Sequence, residues 1–333
     1  MSYDYPACNL CGAHDARLLY PATAIPGSDV PSAEFACTSP YLAQYDDIVQ
    51  CQQCGLVYSV GGLPMDAIMD NYEEVEDPTY LVEEARRREA FGQSLDLIER
   101  YVRKGRLVEV GAHVGLFLDV AQKRGWDVMG VEPSRWAVET GCRRFGVDLR
   151  QGDLASQHLP EASVDAVATW DVLEHFSDPL GELREMRRIL KPGGVVALTT
   201  VNIASPHARV TRGRWPWLMR MHLFYFTHQT LAAMMEKAGF RIERMETQGR
   251  VFSLDYLAWR LGQHMPVMQG LRSGVRATHL GDVSIPVNLG DILLAVGRAP
   301  TPAGRRARIP PSPGRRAARD YRRTEFCESF CSP

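Results

Sequence analysis

The sequence has little net charge and no long uninterrupted apolar run. It has 333 residues, of which 45% are hydrophobic, but no apolar segment approaches the roughly 18 residues that span a bilayer. Its first residues do not combine a basic stretch with an apolar one, as a secretory signal does. We therefore predict a chain with no membrane span and a cytoplasmic location.

The charge balance also argues against a dedicated nucleic-acid binder. The formal net charge is only -2, with 23% charged residues, whereas a nucleic-acid-binding domain is usually basic across its folded part. The exception is the segment from 300 to 333, where eight arginines stand against three acids. We predict a disordered Arg-rich tail over residues 299–333 and nucleic acid as an improbable partner.

Two common nucleotide-binding signatures are missing as well. The glycine turn of the segment LVEVGAHVGLFL, residues 107–118, supplies neither the G-x-G-x-x-G of nicotinamide-dependent oxidoreductases nor a Gly-Lys pair followed by Ser or Thr. The same segment nevertheless predicts a strand, a turn and a helix that together hold a nucleotide-like cofactor. Gly111 and Gly115 allow close backbone approach, the helix N-terminus offers free N–H groups, and Glu109 can accept hydrogen bonds. The competing interpretation is a turn that only lets strand and helix pack.

The cysteines near the start of the chain occur in two C-x-x-C pairs. Cys8 with Cys11, and Cys51 with Cys54, are each followed by glycine. Two such turns complete a tetrahedral sulfur shell that suits Zn²⁺, and four thiolates leave no open position for a reactive water. We predict a structural zinc site within a ribbon-like domain over residues 1–60; a redox pair or disulfides are the alternatives.

The middle of the chain alternates short apolar strands with amphipathic helices. A predicted helix over 80–102 carries an apolar stripe at Phe91, Leu95, Ile98 and Val102, with arginines 86–88 on a solvated face. The following strands are predicted at 106–110, 126–132, 147–152, 164–170, 195–201, 240–247 and 291–297. We predict an α/β fold, a Rossmann-like doubly wound and mostly parallel seven-stranded sheet, in residues 105–298, joined to the zinc domain by a helical linker over 61–104.

Polar residues follow the predicted strands at the edge where such a sheet binds ligands. Glu132 ends the second strand, where an acid can accept hydrogen bonds from both ribose hydroxyls. Asp153 follows the third strand, within reach of an adenine amino group. Trp170, Asp171 and His175 leave the fourth strand, beside the expected position of the cofactor's reactive end.

The ordered segments VEVGAHVGLFL, GVEPS, QGDL, DAVATWDVLEHFSDP, REMRRILKPGGVVALTT and HLFYFTHQTLAAMMEKAGF resemble class I S-adenosylmethionine-dependent methyltransferases. The likeness is strongest to the ubiquinone-biosynthesis O-methyltransferases. With the four cysteines added, the chain is also similar to bacterial methyltransferases of polysaccharide, sugar and natural-product pathways. We expect no counterpart in this chain of the long extra C-terminal domain that the sugar C-methyltransferases carry.

The resemblance implies S-adenosylmethionine as cofactor and assigns its contacts. Glu109, Gly111 and Gly115 are expected at its methionine end, Glu132 at the ribose and Asp153 at the adenine. Trp170 and Asp171 are expected to form the wall near the methyl group. His113 stands where the family has a glycine, so its side chain is expected either to touch the cofactor or to point to solvent.

Methyl transfer to oxygen also requires a proton acceptor, and histidine is the natural base near neutral pH. We predict His175, His222 and Tyr225 as catalytic candidates, against the alternative that each is a core residue. Trp215 and Trp217 are expected either to pack or to stack on an acceptor ring.

The predicted function is therefore methyl transfer to a small molecule, at a hydroxyl or carbon of a sugar, a polysaccharide precursor or a natural product. The competing hypothesis is a zinc-ribbon binding module with an inactive core that contacts nucleic acid or protein.

Overall fold

The computed structural model describes residues 5–24, 32–38, 44–62, 65–264 and 280–301. The predicted disordered tail, with Cys327 and Cys331, falls almost entirely outside these residues. Within the described ranges, no helix is both long enough and apolar enough to cross a membrane.

The elements follow the chain in the alternation that the sequence predicts. The strands are β1 (Ala16–Tyr20), β2 (Asp47–Cys51), β3 (Val57–Val60), β4 (Arg106–Val110), β5 (Asp127–Glu132), β6 (Leu149–Gln151), β7 (Val164–Trp170), β8 (Leu190–Val201), β9 (Phe224–Tyr225), β10 (Arg241–Ser253) and β11 (Ser284–Arg298). The α-helices are α1 (Met65–Glu74), α2 (Glu84–Glu99), α3 (Leu116–Lys123), α4 (Arg135–Phe145), α5 (Pro179–Ile189), α6 (Pro206–Thr211), α7 (His228–Lys237) and α8 (Leu254–His264).

The large sheet has seven strands in the order β10-β11-β8-β7-β4-β5-β6. β4 pairs in parallel with both β5 and β7, and β7 pairs in parallel with β8. β11 runs antiparallel to both of its neighbours. The prediction of a mostly parallel seven-stranded sheet is confirmed, and the carboxyl ends of β4, β5 and β7 meet at one edge.

Local sequence explains where the helices beside this edge begin. The Ser134 hydroxyl accepts the Ala137 N–H at 3.1 Å and caps α4, and the Asp178 carboxylate accepts the Gly181 N–H at 2.9 Å at the start of α5. Pro179 occupies the first turn of α5, where no N–H is needed. Short polar caps thus set the strand-to-helix turns that border the ligand edge.

Three element predictions differ from the structure. The helix predicted over 80–102 begins as a 3-10 helix at Pro78–Glu83 and continues as α2. The strand predicted at 195–201 begins earlier, at Leu190, and includes the KPGG segment 191–194, where the pairing register with β7 shifts between Val164 and Ala166. β10 and β11 extend well beyond their predicted spans as a long hairpin. Cross-strand pairing, which a local pattern does not contain, decides these lengths.

The small sheet has the order β1-β2-β3-β9 and is antiparallel. Its first three strands come from the predicted zinc domain, but β9 lies more than 160 residues later in the chain. Leu10 and Val49 of the N-terminal region also share a buried cluster with Met234 and Phe240. The N-terminal region and the large-sheet region therefore share both a sheet and a core.

Candidate cofactor and acceptor site

The turn after β4 is held in a left-handed conformation at three positions. Gly111, His113 and Gly115 have φ values of 71°, 47° and 72°. A Cβ at Gly111 would lie 2.4 Å from Cγ2 of Val172, and one at Gly115 would lie 2.9 Å from Cγ2 of Val147. The structure thus gives these glycines a packing role in addition to their backbone conformation, as the competing interpretation of the turn expected.

Glu132 closes this turn from the end of β5. Its two carboxylate oxygens accept the backbone N–H of His113 at 2.8 Å and that of Ser134 at 3.0 Å. Each oxygen keeps a further lone pair for a ligand hydroxyl. Burial raises the pKa of Glu132 to about 7. A buried acid with both oxygens pre-oriented suits recognition of a diol.

The buried polar atoms without a hydrogen-bond partner among the described residues include two on the strands beside the turn. They are Oε2 of Glu109, in β4, and Nε1 of Trp170, at the end of the neighbouring β7. Burial, together with the charge of Glu132, raises the pKa of Glu109 well above its usual value. An unpaired buried carboxylate oxygen costs free energy, which a ligand ammonium group offsets by pairing with it.

The His113 side chain does not point to solvent. The His113 ring stacks on the Tyr80 ring with centroids 4.0 Å apart. The Arg87 guanidinium lies over the same Tyr80 ring, 3.9 Å from its centroid. Burial lowers the pKa of His113 to about 3, and its Nδ1 has no partner in the described part of the chain. The expectation of a solvated arginine face is wrong for Arg87, which is half-buried.

Asp153 and Asp171 are each engaged within the protein. Asp153, exposed after β6, accepts the Ser156 N–H at 2.8 Å, and the adjacent Gly152 N–H reaches the Glu132 carbonyl at 3.1 Å. Asp171 has a φ of 57°, accepts the Thr199 hydroxyl at 3.0 Å and forms an ion pair with Arg250. Arg250 also lies over the Trp217 ring. The hairpin of β10 and β11 therefore closes one side of the wall predicted at Trp170 and Asp171.

His175 and His222 come together in a buried polar cluster with Glu174. One ligand atom from each of the three lies within 4.8 Å of the others. His175 Nδ1 is 2.9 Å from the Met221 carbonyl and 2.7 Å from the Tyr72 hydroxyl. His222 Nδ1 is 2.8 Å from the Trp217 carbonyl.

Burial keeps both imidazoles uncharged at neutral pH. It lowers the pKa of His175 to about 4, and burial next to His175 lowers the pKa of His222 well below its usual value. Burial and the nearby Asp171 raise the pKa of Glu174 to about 8. Uncharged histidines are in the form that accepts a proton.

Tyr225 and Trp215 are core residues in this structure. Tyr225 is fully buried in β9, and its hydroxyl contacts the backbone N and O of Met219, each at 3.3 Å. Trp215 is also buried, and its Nε1 donates to Asp291 at 3.1 Å. The Tyr225 ring lies edge-on to the His222 ring, with centroids 6.2 Å apart, while its hydroxyl is engaged by the Met219 backbone. A catalytic role for Tyr225 stays a prediction, and Trp215 is a packed core residue.

The four cysteines of the two C-x-x-C pairs converge on one point. Their sulfur atoms lie within 4.8 Å of one another, with Cys8 to Cys54 and Cys11 to Cys51 both at 3.5 Å. A tetrahedral zinc with bonds of about 2.3 Å needs sulfur separations of about 3.8 Å. Gly12 and Gly55 have φ values of 81° and 78°, and their N–H groups bond the carbonyls of Cys8 and Cys51. The cluster thus has the ligand type, spacing and turn geometry of a zinc site.

The seven-stranded sheet, with its mostly parallel order and its antiparallel β11, is typical of the methyltransferase class of α/β folds. A family profile described as a methyltransferase domain matches residues 82–244. A Mycolicibacterium smegmatis protein described as "Probable S-adenosylmethionine-dependent methyltransferase" is 35% identical over 136 residues, which are 40% of this chain and 49% of that protein. The ubiquinone biosynthesis O-methyltransferase of Cereibacter sphaeroides is 26% identical over 168 residues, which are 47% of this chain and 67% of that protein.

Among solved structures, a SAM-dependent methyltransferase from Archaeoglobus fulgidus aligns with a TM-score of 0.46 and 16% identity, covering 67% of this chain and all of that one. The chain spans about half the length of the M. smegmatis relative and two thirds of the C. sphaeroides one. The chain carries a class I S-adenosylmethionine-dependent methyltransferase domain, and its N-terminal region adds a four-cysteine cluster.

Sequence reasoning missed three residues of the site. Tyr72, on α1, contacts His175; Tyr80 stacks on His113; and Arg250 pairs with Asp171. None belongs to a motif, and the partners of Tyr72 and Arg250 lie 103 and 79 positions away. The sequence offered one local signal, which is the pair of tyrosines at 72 and 80 on either side of an acidic segment.

Proposed function

We propose that the protein transfers the methyl group of S-adenosylmethionine to a hydroxyl, or a carbon, of a sugar, a polysaccharide precursor or a natural product. The observation that supports this proposal most strongly is the pair of buried acids at the ends of two adjacent strands. Glu109 has an unpaired oxygen, and Glu132 has two oriented ones beside the left-handed turn.

These residues fit S-adenosylmethionine. Glu109 would pair with the ammonium of its methionine part, and Glu132 would accept hydrogen bonds from the two ribose hydroxyls. Asp153 would accept the adenine amino group with the carboxylate oxygen that Ser156 leaves open. Trp170 offers its indole N–H and ring beside the methyl group. When bound, the cofactor supplies an electrophilic methyl group on a sulfonium, and water exclusion and alignment provide much of the acceleration.

The acceptor side is formed by His175 and His222. In this proposal one of them accepts the proton of the acceptor hydroxyl, and Tyr72 with the Met221 carbonyl orients His175. His175 follows β7, and Trp170 is the last residue of that strand, so this candidate base and the wall beside the methyl group share one strand end, whereas His222 comes from the segment before β9. Trp217, parallel to His222 with centroids 6.2 Å apart, borders the same space.

The four-cysteine cluster holds a structural Zn²⁺ in this proposal. All four donors are cysteine sulfurs, the set that suits zinc, and none of the four positions is left for a water. The free cysteines agree with a reducing, cytoplasmic setting. The functional division into residues 1–60, 61–104 and 105–298 stays a prediction, as does the binding-module hypothesis, which depends on the tail.

The acceptor class draws support from the names of relatives. Several of them are ubiquinone biosynthesis O-methyltransferases, which are named for an oxygen acceptor. The four-cysteine region and the residues beyond 244 lie outside the matched methyltransferase profile. The acceptor of this chain is therefore a proposal of its own and not a transfer from those relatives.

Calorimetry with S-adenosylhomocysteine tests the cofactor half of the proposal. We expect saturable binding at one site per chain, abolished by Gly111→Arg, whose side chain has no room beside Val172. Absence of binding to folded, zinc-loaded protein contradicts the proposal. For the acceptor half, labelled S-adenosylmethionine is incubated with a small-molecule cell extract and the labelled product is identified by mass spectrometry.

A further inference from the structure

The first C-x-x-C turn is attached to the segment that follows His175. The Asn9 amide donates to the Asp178 carboxylate at 2.7 Å, and its oxygen accepts the Leu180 N–H at 3.2 Å. Asn9 therefore satisfies a free N–H in the first turn of α5 from outside the helix. Asp178 lies three residues after His175, so this turn is fixed close to the first histidine.

The second C-x-x-C turn is attached to the segment that follows His222. The Cys51 N–H bonds the Leu56 carbonyl at 2.9 Å, and the chain then enters β3, which pairs with β9. The Ser59 N–H reaches the Leu223 carbonyl at 2.8 Å. Leu223 is the residue directly after His222, so this turn is fixed close to the second histidine.

The two attached segments also meet each other. The Leu223 N–H donates to the Glu174 carbonyl at 2.8 Å, and the Met221 carbonyl contacts His175 Nδ1. These contacts connect both cysteine turns, through the two histidine segments, into a loop of interactions that is open only between the sulfurs of the two turns. A metal ion shared by both turns would close that loop on its N-terminal side.

We propose that the metal held by the four cysteines sets the position of His175 relative to His222. The zinc site therefore positions the two histidines on the acceptor side of the methyltransferase, in addition to stabilising the N-terminal region. The effect of this coupling on methyl transfer rests on the proposed function. The coupling between the metal site and the positions of the two histidines does not.

The cofactor side should be insensitive to the same metal. Glu109, the turn at 111–115 and Glu132 are built on β4 and β5. The attachments of the cysteine turns end instead on α5, β9 and Lys237, whose ammonium donates to the Leu10 carbonyl. Loss of the metal is therefore expected to loosen the histidine segments and spare cofactor affinity.

Hydrogen exchange on the full chain, before and after removal of zinc by a chelator, tests the coupling. We expect the amides of Leu180 and Leu223 to exchange at least about tenfold faster without metal, while Val110 in β4 changes little. The imidazole NMR signals of His175 and His222 should shift together. The dissociation constant for S-adenosylhomocysteine should change less than about threefold.

A variant that keeps its metal separates coupling from general unfolding. Asn9→Ala should retain zinc yet speed exchange at Leu180 and shift the His175 signal. The matched control is Gln52→Ala, at the equivalent position of the second turn, whose amide donates to the Asp15 carboxylate of the same region. It should leave both signals unchanged.

The outcomes distinguish the two proposals. Unchanged exchange at Leu180 and Leu223 after proven metal loss overturns the coupling even if S-adenosylhomocysteine still binds. Equal effects of Asn9→Ala and Gln52→Ala also overturn it. Failure of S-adenosylhomocysteine to bind the zinc-loaded protein overturns the proposed function and leaves the exchange result to decide the coupling.

Discussion

The imidazole rings of His175 and His222 lie with their centroids 4.8 Å apart at an interplanar angle of 75°. They come from the end of β7 and from the segment before β9, 47 positions apart in the sequence. Each ring is anchored at Nδ1 to a backbone carbonyl. Their orientation is thus set by main chain, which is a rigid support for a proton acceptor.

Replacement of either histidine should slow methyl transfer and spare the cofactor. We expect His175→Gln or His222→Gln to lower kcat by about 10²- to 10⁴-fold if that residue is the base. The S-adenosylhomocysteine dissociation constant should stay within about twofold. His228→Gln, on α7, is the control. Normal turnover in both variants would show that neither histidine accepts the proton.

Glu132→Gln should weaken cofactor binding. The NH₂ group of the glutamine side chain cannot accept hydrogen bonds as the second carboxylate oxygen of Glu132 does. The variant therefore loses a hydrogen bond to the ribose or one to the backbone N–H groups of His113 and Ser134. A loss of about 1–3 kcal/mol corresponds to roughly 5- to 150-fold in the dissociation constant. Glu139→Gln, exposed on α4, should have no effect. Calorimetry measures both; equal affinities would remove Glu132 from the site.

Cofactor affinity should also depend on pH through Glu132. Its pKa is raised to about 7 in the cofactor-free protein, and the ligand hydroxyls favour the ionised form. The contribution of Glu132 to affinity should therefore be complete above pH 7 and be lost as the pH drops below it, by up to tenfold per unit, in addition to the contribution of Glu109, whose pKa is also raised. His113 stays uncharged there, since its pKa is lowered to about 3. A flat profile in wild type, or the same slope in Glu132→Gln, would contradict this assignment.

The glycine turn offers a double-mutant test of packing. Gly111→Ala should destabilise by more than Gly146→Ala, because both have left-handed φ values but only the first would meet Val172. We expect about 1 kcal/mol for Gly146→Ala, from backbone strain alone, and at least about 1–3 kcal/mol more for Gly111→Ala. Val172→Ala should recover part of the difference in urea unfolding. If Val172→Ala recovers none of the lost free energy of unfolding, the contact with Val172 is not the cause of the destabilisation.

Elemental analysis should find one zinc per chain in protein purified without chelator. Cys11→Ser should lower that content and reduce Tm by about 5–10 °C, because a bound structural metal contributes directly to folding free energy. Cys142→Ser, an exposed cysteine outside the cluster, should leave both unchanged. A full complement of zinc in Cys11→Ser would exclude this cluster as the site.

The sequence alone predicted the sheet and the positions of its ligand-edge acids, because strand runs and glycine turns are local signals. Glu132 was found in this way, and the structure places it on the turn that His113 occupies. The contacts of Tyr72 and Arg250 were not predictable, since each depends on packing between distant elements. The two-residue strand β9 carries no periodicity at all. Only the fold shows that it completes the small sheet.

That borrowed strand has a consequence for biosynthesis. Tyr58 of β3 pairs with Phe224, which is 166 positions later in the chain (224 minus 58). At about 5–20 residues per second, the ribosome takes roughly 8–33 seconds to cover that distance. During this interval the edge of β3 that faces β9 lacks its partner strand, while the other edge can pair with β2. An early metal-bound state would protect that edge until the last strand of its sheet emerges.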